Sequence, residues 1–139
     1  MGETARALGR GPELEFEGRT YEVSPLTFEL QARFETWMER RAYESVRRHR
    51  AGVPDEEYYR LLAAVARDSA AGEYSFGSKA SVKAGASLPG IRQLLYLGLS
   101  KRHPEVDEDF VDRLLGAKME EAVAVLARAN ADPKALMRL

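Results

Sequence analysis

The chain has 139 residues, of which 45% are hydrophobic and 31% charged, with a formal net charge of −1. A chain of this length buries roughly two-thirds of its unfolded surface, so the composition specifies one cored domain and excludes a disordered tail. The absence of cysteine excludes disulfides, zinc–thiolate sites and cysteine nucleophiles, and the near-neutral charge gives no basis for wholesale nucleic-acid binding.

In chain order, residues 1–12 hold three glycines and no apolar period, and read as a flexible arm. From Leu14 to Val23 the sequence alternates on either side of Glu17-Gly18. A two-residue turn there sets Leu14 opposite Tyr21 and Phe16 opposite Arg19. Leu14, Phe16, Tyr21 and Val23 then share one face, which a one-residue slip would scatter. The expected fold is mainly α (α+β), a short N-terminal β-hairpin followed by about five helices in a compact bundle. The first helix is expected to open at Ser24-Pro25, to carry the apolar stripe Leu26, Leu30, Phe34, Trp37 and Met38, and to run to Arg50, where Gly52 and Pro54 end it. The second follows Pro54 with the stripe Tyr58, Leu61, Leu62 and Val65, and stops at Gly72. Residues 72–87 carry three glycines, four serines and no period, and read as a mobile loop with a brief strand at Tyr74–Phe76. The third helix opens at Ser87-Leu88-Pro89 and is apolar around most of its circumference, which makes it the central one. Asp107 caps a short fourth helix that stops at Gly116, and a fifth runs from Met119 to Asn130. A terminal turn starts at Asp132-Pro133. Residues 13–139 form a single domain with no internal repeat.

Little in the chain carries catalytic chemistry. Gly72 to Lys79 has the glycine spacing of a phosphate loop, but Ser and Lys are in the wrong order and no strand feeds it. Glu105, Asp107, Glu108, Asp109 and Asp112 sit where a helix start favours negative charge, without the glycine of a calcium loop. His49 and His103 are too isolated for a metal pair, and no serine lies in a nucleophile elbow. No enzyme activity, metal or cofactor is expected. No apolar run reaches the roughly 18 residues of a membrane span and no signal peptide opens the chain, so an intracellular soluble protein is expected. Sixteen Arg against five Lys, with one Asn and two Gln, fits a thermophile and a GC-rich genome alike.

The one charge asymmetry is the run Arg40, Arg41, Arg47, Arg48, His49 and Arg50, interrupted by Glu44. Cations near a helix C-terminus are stabilising in their own right. Trp37-Met38 and Tyr58-Tyr59 place adjacent large groups on different faces of a helix, so one of each pair is expected to stay outside the core and be open to a partner.

The segment Leu14 to Thr27 resembles the start of tail assembly chaperones of long-tailed bacteriophages, a hairpin of the type apolar-x-apolar-x-Gly-Lys/Arg-x-Tyr leading into a helix. The segment Ile91 to Val106 is similar to that family's Leu-Leu-aromatic helix followed by His-Pro-Glu, here His103-Pro104-Glu105, and by an acid-capped helix. The resemblance spans Leu14 to Asn130 without the 72–87 segment. It implies an assembly factor of the host cytoplasm, absent from the mature virion, that keeps the tape-measure protein soluble and recruits tail-tube protein. The contacts it would use are Trp37, Met38, Tyr58 and Tyr59 with the basic stripe Arg40, Arg41, Arg47 and Arg48, by a helix-in-groove mode. The hairpin edge is a second candidate, for homo-oligomer formation by strand addition. The alternatives are a structural virion protein, such as a head–tail connector or tail-completion subunit, and a small nucleic-acid-binding regulator.

Overall fold

The computed structural model describes residues 11–131. An antiparallel hairpin, β1 (Glu13–Phe16) and β2 (Arg19–Glu22), precedes five helices: α1 (Phe28–Arg48), α2 (Asp55–Ala70), α3 (Lys79–Ala86), α4 (Leu88–Ser100) and α5 (Glu108–Asn130). The fold is mainly α, as the sequence predicts. The hairpin has the predicted register, with Leu14 opposite Tyr21 and Phe16 opposite Arg19. Glu17 and Gly18 both have positive φ, 50° and 78°, the backbone twist that matches two right-twisted strands across a two-residue turn. Leu14, Phe16, Tyr21 and Val23 are buried together.

Two of the expected twelve arm residues belong to the folded unit. Gly11 is buried and donates its N–H to Glu22 Oε1 at 2.7 Å, and Pro12 C=O accepts from Val23 N–H at 2.9 Å. The remainder of that arm and the turn at Asp132-Pro133 lie outside the described residues.

The first helix opens later than the sequence suggests. Ser24 N–H is drawn to Gly98 C=O at 2.9 Å and Leu26 N–H to Asn130 Oδ1 at 2.9 Å. These tertiary bonds hold the chain extended until Thr27, whose hydroxyl caps α1 by accepting from Leu30 N–H. At its far end α1 stops at Arg48, and a 3-10 turn over Arg50–Gly52 leads to Pro54. Gly72 ends α2 as expected, with φ of 80°. Gly72 N–H bonds Ser69 C=O and Glu73 N–H bonds Asp68 C=O, the paired closure of a left-handed helix cap.

The segment 72–87 is not one irregular loop. Turns occupy Tyr74–Phe76 in place of a strand, and α3 follows, capped by Ser78 Oγ accepting from Ser81 N–H at 3.1 Å. Eight residues rich in Ala and Lys make too short and too weakly apolar a helix to leave a period in the sequence. The two helices expected around Gly116 follow each other within α5, with the break at the non-helical Lys118 (φ −140°, ψ 48°) and not at the glycine. Gly116 itself stays helical, and Lys118 Nζ reaches across to Glu15 C=O at 2.9 Å.

α4 is the central helix, with Leu95, Leu97 and Leu99 fully buried. It divides the interior. Leu95 and Leu99 join the hairpin, Val106 and the inner face of α5 in the larger cluster. Leu97 turns the other way, to Leu26, Leu30, Phe34 and Met38. The helix meets the strand exit at Gly98, where an added Cβ would lie 3.0 Å from Val23 Cγ1. His103, just past α4, takes the outer edge of β2: its Nε2 accepts Glu22 N–H at 2.9 Å, and its ring meets Tyr21 edge-on at 5.1 Å. By contrast, α2 buries only Val65.

Candidate protein-interaction face

Successive helical residues are offset by about 100°, so positions 33, 37, 40, 44, 47 and 48 of α1 fall within one third of its circumference. That side runs beside the stripe of Leu30, Phe34 and Met38 that the core takes, and its arginines stay exposed. Trp37 stands at the border. It is half-buried, stacks on Phe34 with ring centroids 5.2 Å apart, and carries the Arg41 guanidinium 4.8 Å above its own ring.

Two grooves meet at this indole. One is lined by Glu29, Ala32, Arg33, Thr36, Arg40 and Gln93 together with Trp37. The other runs between α1 and α3, with Trp37, Met38, Ala42, Tyr74, Ala80 and Ala84 along it and Arg41, Ser45 and Arg48 at its rim. The 72–78 turns that shape the second groove are held by Phe76 N–H donating to Glu35 Oε2 at 2.6 Å. Burial pushes the Tyr74 phenol pKa up, and nearby Asp68 and Glu39 reinforce the shift, so the wall stays neutral.

Arg40, Arg41, Arg47 and Arg48 are all exposed. None of them, nor Arg33, forms an ion pair among the described residues, whereas Arg19, Arg92, Arg102 and Arg113 each do. Arg47 lies 5.6 Å over the Tyr43 ring.

The structure brings Trp37 together with Arg40, Arg41 and Arg48, leaves Arg47 outside both grooves, and sets the two tyrosines apart on α2. Met38 is core, 6% exposed, because it continues the buried ladder of Leu30 and Phe34 at four-residue steps. Only its edge reaches a groove floor. Tyr58 is half-buried beneath Arg50, 4.3 Å from its ring centroid, and Arg50 pairs with Asp55. Tyr59 is 63% exposed. Both tyrosines lie on α2 and line neither groove. Arg33 escaped the sequence reading because it precedes the dense run, although it stands four residues before Trp37. Tyr74, Ala80 and Ala84 escaped it because they fell in the supposed loop.

Both hairpin edges carry an occupied group: Glu22 N–H is taken by His103 and Glu15 C=O by Lys118. A strand added on either side would have to displace them. Among the described residues, no group of three or more His, Asp or Glu side chains is placed to hold a metal ion, and no helix is long and apolar enough to cross a membrane. Comparison with protein-family models, with curated proteins and with solved structures found no match to this chain.

Proposed function

We propose that this chain is a tail assembly chaperone of a long-tailed phage or prophage, which holds the tape-measure protein soluble in the host cytoplasm and leaves before the virion is complete. The sequence resemblance over the hairpin and the His103-Pro104-Glu105 helix end motivates the reading. The observation that carries it is Trp37, an aromatic ring presented between two grooves on a helix face that the fold itself leaves uncovered. A tape-measure protein offers long amphipathic helices, and covering an apolar helical seam calls for such a furrow with an aromatic anchor. Recruitment of tail-tube protein belongs to the same proposal.

Co-expression with a phage tape-measure protein tests the reading. The expected result is a client that is soluble only with this chain and co-purifies with it, and capture that falls at least about tenfold in Trp37→Ala, the usual scale for losing an aromatic anchor. A client equally soluble without the chain, with the chain alone assembling into a discrete ring, would overturn it in favour of a connector or tail-completion subunit.

A further inference from the structure

We infer that the α1 face selects an acidic amphipathic helix, with apolar side chains seated beside Trp37 and carboxylates meeting the arginines on either side. The inference deepens the chaperone reading and rests on it only for the client's identity.

Among the described residues, six arginines outside α1 pair with carboxylates of the fold, whereas Arg67 and Arg128 stand singly on other helices. Arg92 makes two bonds to Asp112, at 2.5 and 3.0 Å, Arg113 bonds Glu17 at 3.0 Å, and Arg19 and Arg102 face Glu105 and Glu22. On α1 the five arginines 33, 40, 41, 47 and 48 have no such partner among the described residues. The helix has four glutamates of its own, but Glu35 is committed to Phe76 N–H and Glu39 is half-buried. Glu29 and Glu44 are left to face solvent with the arginines, which leaves the outer face cationic.

The positions of the charges define the ligand's shape. Arg33 and Arg40 border one groove and Arg41 and Arg48 the other, with the indole between them. A helix lying along α1 meets an apolar seam flanked on both sides by guanidinium groups, complementary to a Leu-lined helix with Glu or Asp beside the seam. A nucleic acid fits less well. The second groove is floored by Met38, Ala80 and Ala84, and the face offers no regular succession of rings on which bases could stack. Two of the arginines are already stacked on rings (Arg41 on Trp37, Arg47 on Tyr43), so these two lose less side-chain freedom when a carboxylate arrives.

The chain has one tryptophan and it lies in this face, so its fluorescence reports occupancy directly. The probes are synthetic helical peptides with leucine along one seam and either glutamate, glutamine or lysine flanking it, titrated into the full chain. The glutamate peptide is expected to shift Trp37 emission and to bind about tenfold more tightly than the glutamine peptide, an advantage that high salt removes. The lysine peptide should not bind. In Arg33→Glu/Arg40→Glu, which alters only exposed, unpaired side chains, the preference should reverse toward lysine, an outcome that misfolding cannot produce. Equal binding of the glutamate and glutamine peptides would overturn the inference, as would a single-stranded oligonucleotide that shifts the emission more strongly than the glutamate peptide. The two proposals fail separately. Tape-measure capture undiminished in Arg33→Glu/Arg40→Glu leaves the chaperone reading and removes this one. Glutamate-peptide binding without tape-measure capture does the reverse.

Discussion

On the hairpin side Arg92 grips Asp112 and Arg113 grips Glu17, while on α1 Arg33, Arg40 and Arg41 extend from the surface with no acidic partner among the described residues. Burial follows the same division. Around the hairpin, both strands, α4 and α5 interlock through Phe16, Tyr21, Phe110 and the fully buried Leu95, Leu99, Val111 and Leu114. At the opposite end α2 leans on α1 with Val65 as its only buried residue. The difference teaches where stability and recognition reside in one small chain. The half that consumes its charged and apolar groups internally holds the fold, and the half that leaves them unspent has groups to offer another molecule.

The comparison can be broken by substitution, and the largest effect should come from the interlocked half. Leu95→Ala should cost about 3 kcal/mol in urea denaturation, the usual scale for truncating a fully buried leucine. Val65→Ala should cost about 1 kcal/mol, because α2 has room to settle after the loss. Equal costs would contradict the division drawn here. Gly90→Ala should cost about 2 kcal/mol, since a Cβ there would fall 1.7 Å from Ala84 C=O, and backbone on both sides must move.

Next comes His103→Leu, which strands the half-buried Glu22 N–H and should cost about 1–2 kcal/mol by the same measurement. Amide exchange should sharpen the contrast, with α2 opening at a lower free energy than α4. The smallest effect is electrostatic. The Arg92 guanidinium, chiefly through its hydrogen bond, holds the Asp112 carboxyl below its ordinary value of 3.8. Because folding lowers that pKa, the pair's contribution is complete above the ordinary value and is lost as pH falls through the folded one. Asp112→Asn should therefore flatten the acid limb of the stability curve below about pH 4 and leave its charge-independent part intact.

What could be read from the sequence was what depends on neighbours along the chain. The hairpin register followed from residue parity and the Glu17-Gly18 turn, and the central place of α4 from apolar residues on all its sides. What escaped depends on partners far away. Nothing near Ser24 announces that Gly98 C=O will take its N–H and delay α1 to Phe28. The short α3 has too few apolar positions to show a period, and it conceals one wall of the candidate face. Met38 is a different case. The helical stripe with Leu30 and Phe34 places it inside, and its pairing with Trp37 offers it to a partner; the core takes it and leaves Trp37 at the border.

The clasp between Lys118 and Glu15 spans 103 residues of chain, and this separation sets a timetable for synthesis. The hairpin leaves the ribosome well before α4 and α5, whose surfaces cover its apolar face. At ordinary elongation speeds that interval is on the order of five to twenty seconds. A lone two-stranded hairpin has marginal stability in water, so Leu14, Phe16 and Tyr21 spend the interval without their permanent shelter. Closure of the main core therefore waits for α5 to emerge, whereas α1 and α2 can already pair while translation continues.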